Sequence, residues 1–310
     1  MRIVFMGTPD YAAVTLQKLI DEKYDIAAVF AQPDKPVGRK QILTPPATKV
    51  IAIDNNIPIF QPKTLRDGEA YKILQEINPD VIVVVAYGKI LPKEILDLPK
   101  YGCINGHASL LPKLRGASPI QWSIVTGETK TGVSTMLMDE GMDTGDILET
   151  VITDIGAEET AEELFDRLAV MGADLLIETL VALVKGELKP EKQNEEESTY
   201  AAMLDKTISP VDWSKSAMEV HNHIRGMDPW PVAQTILEGK NLKLFSSVLV
   251  DNEGSGAPGT MKVTKKGLVV YCGDSKPVFI KEVQYEGKKR MAAADFFRGH
   301  PVEAGTVLGK

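Results

Sequence analysis

Apolar positions along the first half of the chain alternate between two periods. Arg2–Met6 is a short apolar run ending at Gly7, after which Ala12, Leu16, Leu19 and Ile20 recur at helical spacing. This pattern predicts strand, turn and helix, with Thr8 as N-cap and Pro9 near the first helical position. Ile26–Ala31 predicts a second strand. Asp80–Ala86, DVIVVVA, is continuous and β-branched, as in a strand buried on both faces. Helical patterns at about Ala47–Asp54 and Gly68–Ile77 separate these strands. Further on, Pro119–Thr126 reads as a short helix, and Val133–Met138 and Leu148–Ile155 as strands. A long amphipathic helix over about Thr160–Lys185 carries Leu164, Leu168, Leu175, Leu176, Leu180 and Leu183. The alternation predicts an α/β fold with a doubly wound, mostly parallel, Rossmann-like sheet.

The pattern breaks at Leu188–Ser198, LKPEKQNEEES, which has charges and a proline but no large apolar face and reads as a linker or exposed crossing segment. A helix near Ser214–Met227 follows, then short runs bounded by Gly, Pro and Asn at Gln234–Leu237, Leu242–Leu249, Gly267–Tyr271 and Val278–Gln284. Strands of this length and spacing predict a small all-β barrel. The expected organisation is one domain over 1–188, a linker over 189–206 and a second domain over 207–310.

Composition keeps the chain among ordinary globular proteins, at 44% hydrophobic and 25% charged over 310 residues. No apolar run reaches the roughly 18 residues of a membrane span, and MRIVFMGTPD lacks the h-region of a signal peptide. Cys103 and Cys272 stand far apart without CxxC or Cys/His spacing, so neither a disulfide framework nor a zinc site is expected. The expectation is a cytoplasmic, reduced protein with no membrane partner and no metal. The net charge of −8 is unevenly spread: residues 206–310 hold 15 Lys+Arg against 11 Asp+Glu, a balance of +4, leaving −12 to residues 1–205. A basic C-terminal part suits an anionic partner, although chance variation accounts for such a balance about as well.

Candidate chemistry gathers at Cys103–Pro112, CINGHASLLP. On an extended segment Asn105 and His107, two residues apart, share one face, joining an amide donor to an imidazole. A lone strand histidine is more often structural than catalytic, but Asn105 on the same face, followed by SLLP and Arg115-Gly116, favours chemistry. MDEGMDTGDIL, from Met138, adds the carboxylate of Asp143 on a Gly-rich turn. Spacing alone does not bring Asp143 to His107; the convergence of strand ends in a doubly wound sheet does. Amide, imidazole and carboxylate suffice for acyl transfer without a covalent nucleophile. Ala86-Tyr87-Gly88 follows the buried strand, where Gly88 either ends it or lets backbone approach a ligand. Gln32–Lys49 is a long Pro-bounded loop with Lys35, Arg39, Lys40 and Lys49, either solvated or aimed at a phosphate backbone. Gly7-Thr8-Pro9-Asp10 has too few glycines for a dinucleotide fingerprint and reads as a tight turn.

GTPDYAA at Gly7, QPDKPVGRK at Gln32, AYGKILP at Ala86, CINGHASLLPKLRGASPIQ at Cys103, MDEGMDTGDIL at Met138, IRGMDPWPVAQT at Ile224 and GKKRMAAADFFRG at Gly287 together resemble the blocks of the methionyl-tRNA formyltransferase family. The resemblance covers essentially the whole chain, whereas the N-terminal half alone would match the wider folate-dependent formyltransferase superfamily. It implies transfer of formyl from 10-formyltetrahydrofolate, a co-substrate and not a tightly bound cofactor, to the α-amino group of methionyl initiator tRNA. It implies catalytic roles for Asn105, His107 and Asp143. Folate binding is implied for Ser109, Leu110, Leu111 and Pro112, and for Ala86, Tyr87 and Gly88. Contact of Lys35, Arg39 and Lys40 with tRNA is implied as well, with an OB-like C-terminal domain as an auxiliary tRNA surface, and a monomer is expected. Gly106 departs from the family's β-branched residue between Asn and His, which bears on the rigidity of that pair. Two rivals stand beside this reading: a folate formyltransferase or hydrolase acting on a sugar nucleotide or small amine, and a nucleic-acid-binding module on a degenerate scaffold.

Overall fold

The N-terminal apolar run forms β1 (Arg2–Gly7), buried from Ile3 onward, and the chain continues through α1 (Asp10–Asp21), β2 (Asp25–Phe30), β3 (Lys35–Val37), β4 (Ile42–Thr44), α2 (Ala47–Asp54), β5 (Ile59–Phe60), α3 (Glu69–Ile77) and β6 (Val81–Val85). Next come α4 (Lys93–Leu96), β7 (Cys103–His107), β8 (Arg115–Gly116), α5 (Pro119–Val125), β9 (Lys130–Leu137), β10 (Asp146–Asp154), α6 (Ala161–Lys185) and β11 (Tyr200–Ala201). The last third holds α7 (Ala217–Gly226), β12 (Gln234–Leu237), β13 (Lys240–Leu249), β14 (Met261–Val263), β15 (Leu268–Tyr271), β16 (Pro277–Tyr285), β17 (Met291–Ala292) and α8 (Ala293–Gly299). This computed structural model describes residues 1–38, 40–251 and 254–309. The elements gather into two compact units: Met1–Pro119, Thr131–Thr153 and Phe165–Ala201 make the first, and Ile120–Lys130, Asp154–Leu164 and Ala202–Lys310 the second. Neither is a continuous stretch of chain.

The first unit is built on a seven-stranded sheet in the order β10-β9-β7-β6-β1-β2-β5. Neighbours from β5 to β7 run parallel, and β9 is antiparallel to β7. One face carries Val4, Met6, Ala28, Phe30, Ile82 and Val84, in one core cluster with Leu74 of α3 and Ile95 of α4. On the other face α1 packs against β1, β2 and β6. Both sides of the central strands are therefore covered, which explains why DVIVVVA lacks a polar alternation. Strand order reverses between β1 and β6, so the carboxyl ends of β1, β6 and β7 open a crevice at the switch point.

Local details refine the expectations. Pro9, not Thr8, stands at the N-cap of α1, and no side chain caps it. The Thr8 hydroxyl instead donates to the Tyr87 carbonyl and accepts from the Gln32 N–H, both at 3.2 Å. Gly7 permits the tight turn because a Cβ there would lie 2.8 Å from the Val85 carbonyl oxygen. The long loop after β2 contains a hairpin, β3 paired with β4, which the proline-rich sequence concealed. The charged stretch near 190 is mostly exposed, yet it is joined to β10 by a bridge between Ile147 and Glu191 and to β8 by β11.

The second unit is a curled antiparallel sheet in the order β12-β13-β16-β15-β14, with β17 on β16. β13 and β16 keep one register from Leu242–Tyr285 to Leu249–Val278, interrupted only at Ser246, which takes a left-handed backbone at φ 50°. α7 starts at a capping box formed by Ser216 and Glu219 and packs on β13 and β16. Its Val220 and Ile224 join Leu244, Val270, Ile280 and Phe297 in the core. Gly226 ends α7 where a Cβ would come within 2.6 Å of Val125 Cγ2, so the close packing of α5 on α7 requires glycine. Among the described residues, no helix is long and apolar enough to cross a membrane, and no group of three His, Cys, Asp or Glu is arranged to hold a metal ion.

Two predictions follow the packing. His221 is buried, with Nε2 donating to the Ala157 carbonyl (2.9 Å) and Nδ1 accepting from Ser247 (2.8 Å). Burial lowers its pKa and outweighs the opposing hydrogen bond to Ala157; Arg225 and Lys281 push the same way as burial, and Glu158 against it. Burial lowers that of His223 likewise. Both are neutral when folded and bind protons more readily when unfolded. Stability is therefore lost as pH falls through the unfolded value near 6.5, by up to about 1.4 kcal/mol per pH unit for each histidine. Urea unfolding of the second unit at pH 7.5 and 5.5 should show this, with a smaller fall in His221→Gln; an identical pH dependence in the variant would refute the assignment. Gly106 is not left-handed, and a Cβ there would meet Val85 Cγ2 at an ordinary 3.7 Å. Gly106→Ala should therefore stabilise the first unit by about 0.5–1 kcal/mol, read from its unfolding midpoint, whereas a destabilised variant would mean that the strand needs glycine.

Candidate active site

β7 presents its residues by the period of two. Ile104 lies in the core with no exposure, while Asn105 (9% exposed) and His107 (7%) sit near the carboxyl end, shielded but reachable. His107 Nε2 lies 3.0 Å from the Leu114 carbonyl oxygen. A carbonyl oxygen only accepts, so Nε2 carries the proton and Nδ1 is the free nitrogen of the neutral ring. Leu114 offers that carbonyl from a left-handed backbone, φ 57°.

Asp143 arrives on the loop between β9 and β10. The turn is shaped by the Asp139 carboxylate, which accepts from Gly141 N–H (3.0 Å) and the Thr144 hydroxyl (2.6 Å). Gly145 is required because a Cβ there would lie 1.8 Å from the Leu137 carbonyl oxygen. Asp143 Oδ2 stands 3.7 Å from His107 Nδ1 and accepts from the Gly116 N–H at 2.8 Å. Asp143 Oδ1 accepts from Asn105 Nδ2 at 3.4 Å. The amide, imidazole and carboxylate named by the sequence thus meet at one place. Asn105 keeps a second N–H without a partner among the described residues, and His107 keeps Nδ1. A carbonyl oxygen brought here would meet a donor, with a proton acceptor close by. The Leu114 carbonyl and the Gly116 N–H belong to the site too, but backbone groups leave no residue signature; the only trace is Gly116 itself, at φ 113°.

The remaining sequence-named residues surround this cluster in different ways. Ser109 is fully buried, with its hydroxyl spent on the Lys113 carbonyl at 2.7 Å. Ser134 Oγ donates to the Ser109 carbonyl (2.8 Å) and accepts from Leu111 N–H (3.2 Å), pinning Ser109–Pro112 to β9. Leu111 is buried, and Leu110 and Pro112 are half-buried. Ala86 (φ 45°) and Gly88 (φ 76°) turn the chain sharply after β6. Gln32 Nε2 holds that turn through the carbonyls of Tyr87 (3.1 Å) and Gly88 (3.2 Å). The Tyr87 ring lies in the core beside the sheet, its hydroxyl unpartnered among the described residues and its pKa pushed by burial up to about 12. It therefore stays protonated. On the hairpin, Lys35 and Lys40 are exposed, and Arg39 lies outside the described residues. Lys49 is not a free probe: its ammonium binds Asp34 and Gln61 at 2.8 Å, which fixes the hairpin's base and holds the Asp34 carboxyl below its usual range.

Comparison with known proteins identifies the family. Residues 1–180 match the model of the formyl transferase family, and residues 203–301 that of the formyl transferase C-terminal domain. A methionyl-tRNA formyltransferase of Acetivibrio thermocellus is 49% identical over 312 residues, covering 100% of both chains. That of Bacillus subtilis is 47% identical, covering 99% of this chain and 98% of the relative. Among solved structures, the sugar 3N-formyl transferase WlaRD, crystallised in the presence of dTDP and 5-N-formyl-THF, superposes with a TM-score of 0.70 at 22% identity, covering 93% of this chain and 99% of that one; this likeness concerns the fold. With both family models matched and near-half identity along its whole length, the chain belongs to the methionyl-tRNA formyltransferase family.

Proposed function

We propose that the protein transfers the formyl group of 10-formyltetrahydrofolate to the α-amino group of methionyl initiator tRNA, with Asn105, His107 and Asp143 as the reacting-centre residues. The observation that carries this reading is the meeting of Asn105 Nδ2 and His107 Nδ1 on one Asp143 carboxylate. The neutral amine attacks the formyl carbon and a C–N bond forms. Charge gathers on the formyl oxygen, which accepts the free N–H of Asn105. A proton leaves the attacking nitrogen by way of Asp143 and His107 Nδ1, directly or through water, and reaches N10 of the folate as the C–N10 bond breaks. Products are the formamide and tetrahydrofolate, and no covalent enzyme intermediate is needed. His107 acts only through Nδ1, because Nε2 is committed to Leu114.

Folate is assigned to the crevice bounded by Ala86–Gly88 and Ser109–Pro112. The tRNA is assigned to the exposed Lys35 and Lys40 of the hairpin, with Arg39 between them in sequence, and to the basic C-terminal part as an auxiliary surface. A small-amine or sugar acceptor would leave that charge without a use.

Asn105→Ala should lower turnover by about 10²–10³-fold while folate binding persists, measured as formylmethionyl-tRNA formed from the purified protein, folate donor and charged initiator tRNA. Near-normal turnover would remove Asn105 from the centre, and failure of the wild-type protein to formylate charged tRNA while formylating a small amine would favour the sugar-type acceptor. Lys35→Glu with Lys40→Glu should raise KM for charged tRNA and flatten its log–log salt dependence by about 1–2. An unchanged rate at subsaturating tRNA would exclude the hairpin from tRNA binding.

A further inference from the structure

The segment from Glu191 to Ala201, unassigned by its sequence, touches both halves of the reacting centre. At its start Glu191 exchanges backbone hydrogen bonds of 2.8 Å with Ile147, just beyond the Asp143 loop. At its end Thr199 takes the Leu114 N–H on its hydroxyl oxygen and the Arg115 N–H on its carbonyl, both at 2.9 Å. Leu114 is the residue whose carbonyl fixes the tautomer of His107. Between these points lies Gln193. Its Nε2 donates to the carbonyls of Asp143 (2.8 Å) and Gly145 (2.7 Å), and its Oε1 accepts from Arg115 Nε (3.0 Å) and Nη2 (2.8 Å). Two donors and two lone pairs are all that a glutamine amide possesses, and each is used. The amide cannot be flipped, since its N–H groups would then face a guanidinium and its oxygen two carbonyls. Arg115 is itself fully buried and is held from the other side by the Glu195 carboxylate at 2.8 and 2.9 Å.

We infer that Gln193 is a positioning residue of the formyl transfer: it clamps the backbone of Asp143 against Arg115 and so holds the carboxylate opposite His107 Nδ1. The inference deepens the proposed function, resting on the roles given there to His107 and Asp143. Asp143 is the charged group that faces Nδ1, and the Arg115–Glu195 pair lies beyond the glutamine, so slackening the clamp alters the charge seen by the imidazole. Thr199 holds the Leu114 side of the same ring.

The test uses the full-length protein with 15N-labelled histidine. The sequence has four histidines, and His107→Gln identifies the signal of interest. Gln193→Met keeps the side-chain length and removes all four hydrogen bonds. It should lower kcat about 10- to 100-fold, leave KM for the folate donor within threefold, and displace the imidazole 15N signals of His107 at fixed pH as the carboxylate moves. Gln193→Glu should be worse than Gln193→Met, because its second oxygen faces two carbonyls. Should Gln193→Met fail to fold, Thr199→Val loosens the Leu114 side, and a fall in kcat with displaced His107 15N signals supports the same device. Wild-type His107 signals together with kcat within twofold, in whichever of these folds, overturn it. The His107 signals do not depend on which amine is formylated, so failure of the tRNA assay and failure of the clamp are separate results.

Discussion

One hydrogen bond, from His107 Nε2 to the Leu114 carbonyl, decides what the centre can do. It leaves Nδ1 as the only nitrogen able to take or give a proton, and Nδ1 faces Asp143. Keeping the bond requires backbone that is costly in isolation. Leu114 and Asp143 are both left-handed non-glycine residues, each a conformation costing on the order of 1–3 kcal/mol. That cost is offset locally, because Leu114 N–H, Arg115 N–H and Gly116 N–H all find acceptors, on Thr199 or on Asp143 itself. The strain sits where the chemistry sits, and the surrounding hydrogen bonds over-determine it.

A buried guanidinium extends the same logic outward. Arg115 has no exposed surface, yet its anionic partner Glu195 is largely in water, so the pair is half desolvated. The hydrogen bonds to Glu195 outweigh the burial of the guanidinium and raise its pKa, and Arg115 in turn holds the Glu195 carboxyl below its usual range. Arginine suits the position because its planar fork offers Gln193 and Glu195 separate edges, which a lysine ammonium would not. Buried polar networks of this kind are stable only when every member is satisfied.

Much of this was readable in the sequence where a side-chain pattern carries the physics. The period of two placed Asn105 and His107 on one face, and the unbroken DVIVVVA run marked β6 as covered on both sides. The helix boundaries at Ala47–Asp54 and the strand at Gln234–Leu237 follow local signals closely. What escaped reading depended on partners distant in sequence or on backbone atoms. Thr8 has the chemistry of an N-cap, but Tyr87 and Gln32 compete for its hydroxyl. Lys49 looked like part of a basic probe until Asp34 and Gln61 closed on it. The hairpin of β3 and β4 has Pro36 within it and exposed faces, so no apolar alternation announces it. Gln193 sits in a charged stretch whose composition suggests solvent, and only its pairing with a buried arginine reveals otherwise.

The discontinuity of the second unit has a consequence for the order of synthesis. Ala157 waits for His221, Gly156 and Glu159 wait for Arg225, and α5 waits for the glycine that ends α7. At the usual rate of about 5–20 residues per second, residue 226 is made roughly 3–13 s after the chain around residue 160. Glu158, Glu159, Glu162 and Glu163 stand close together in that stretch, and like charges repel any second chain that exposes the same segment.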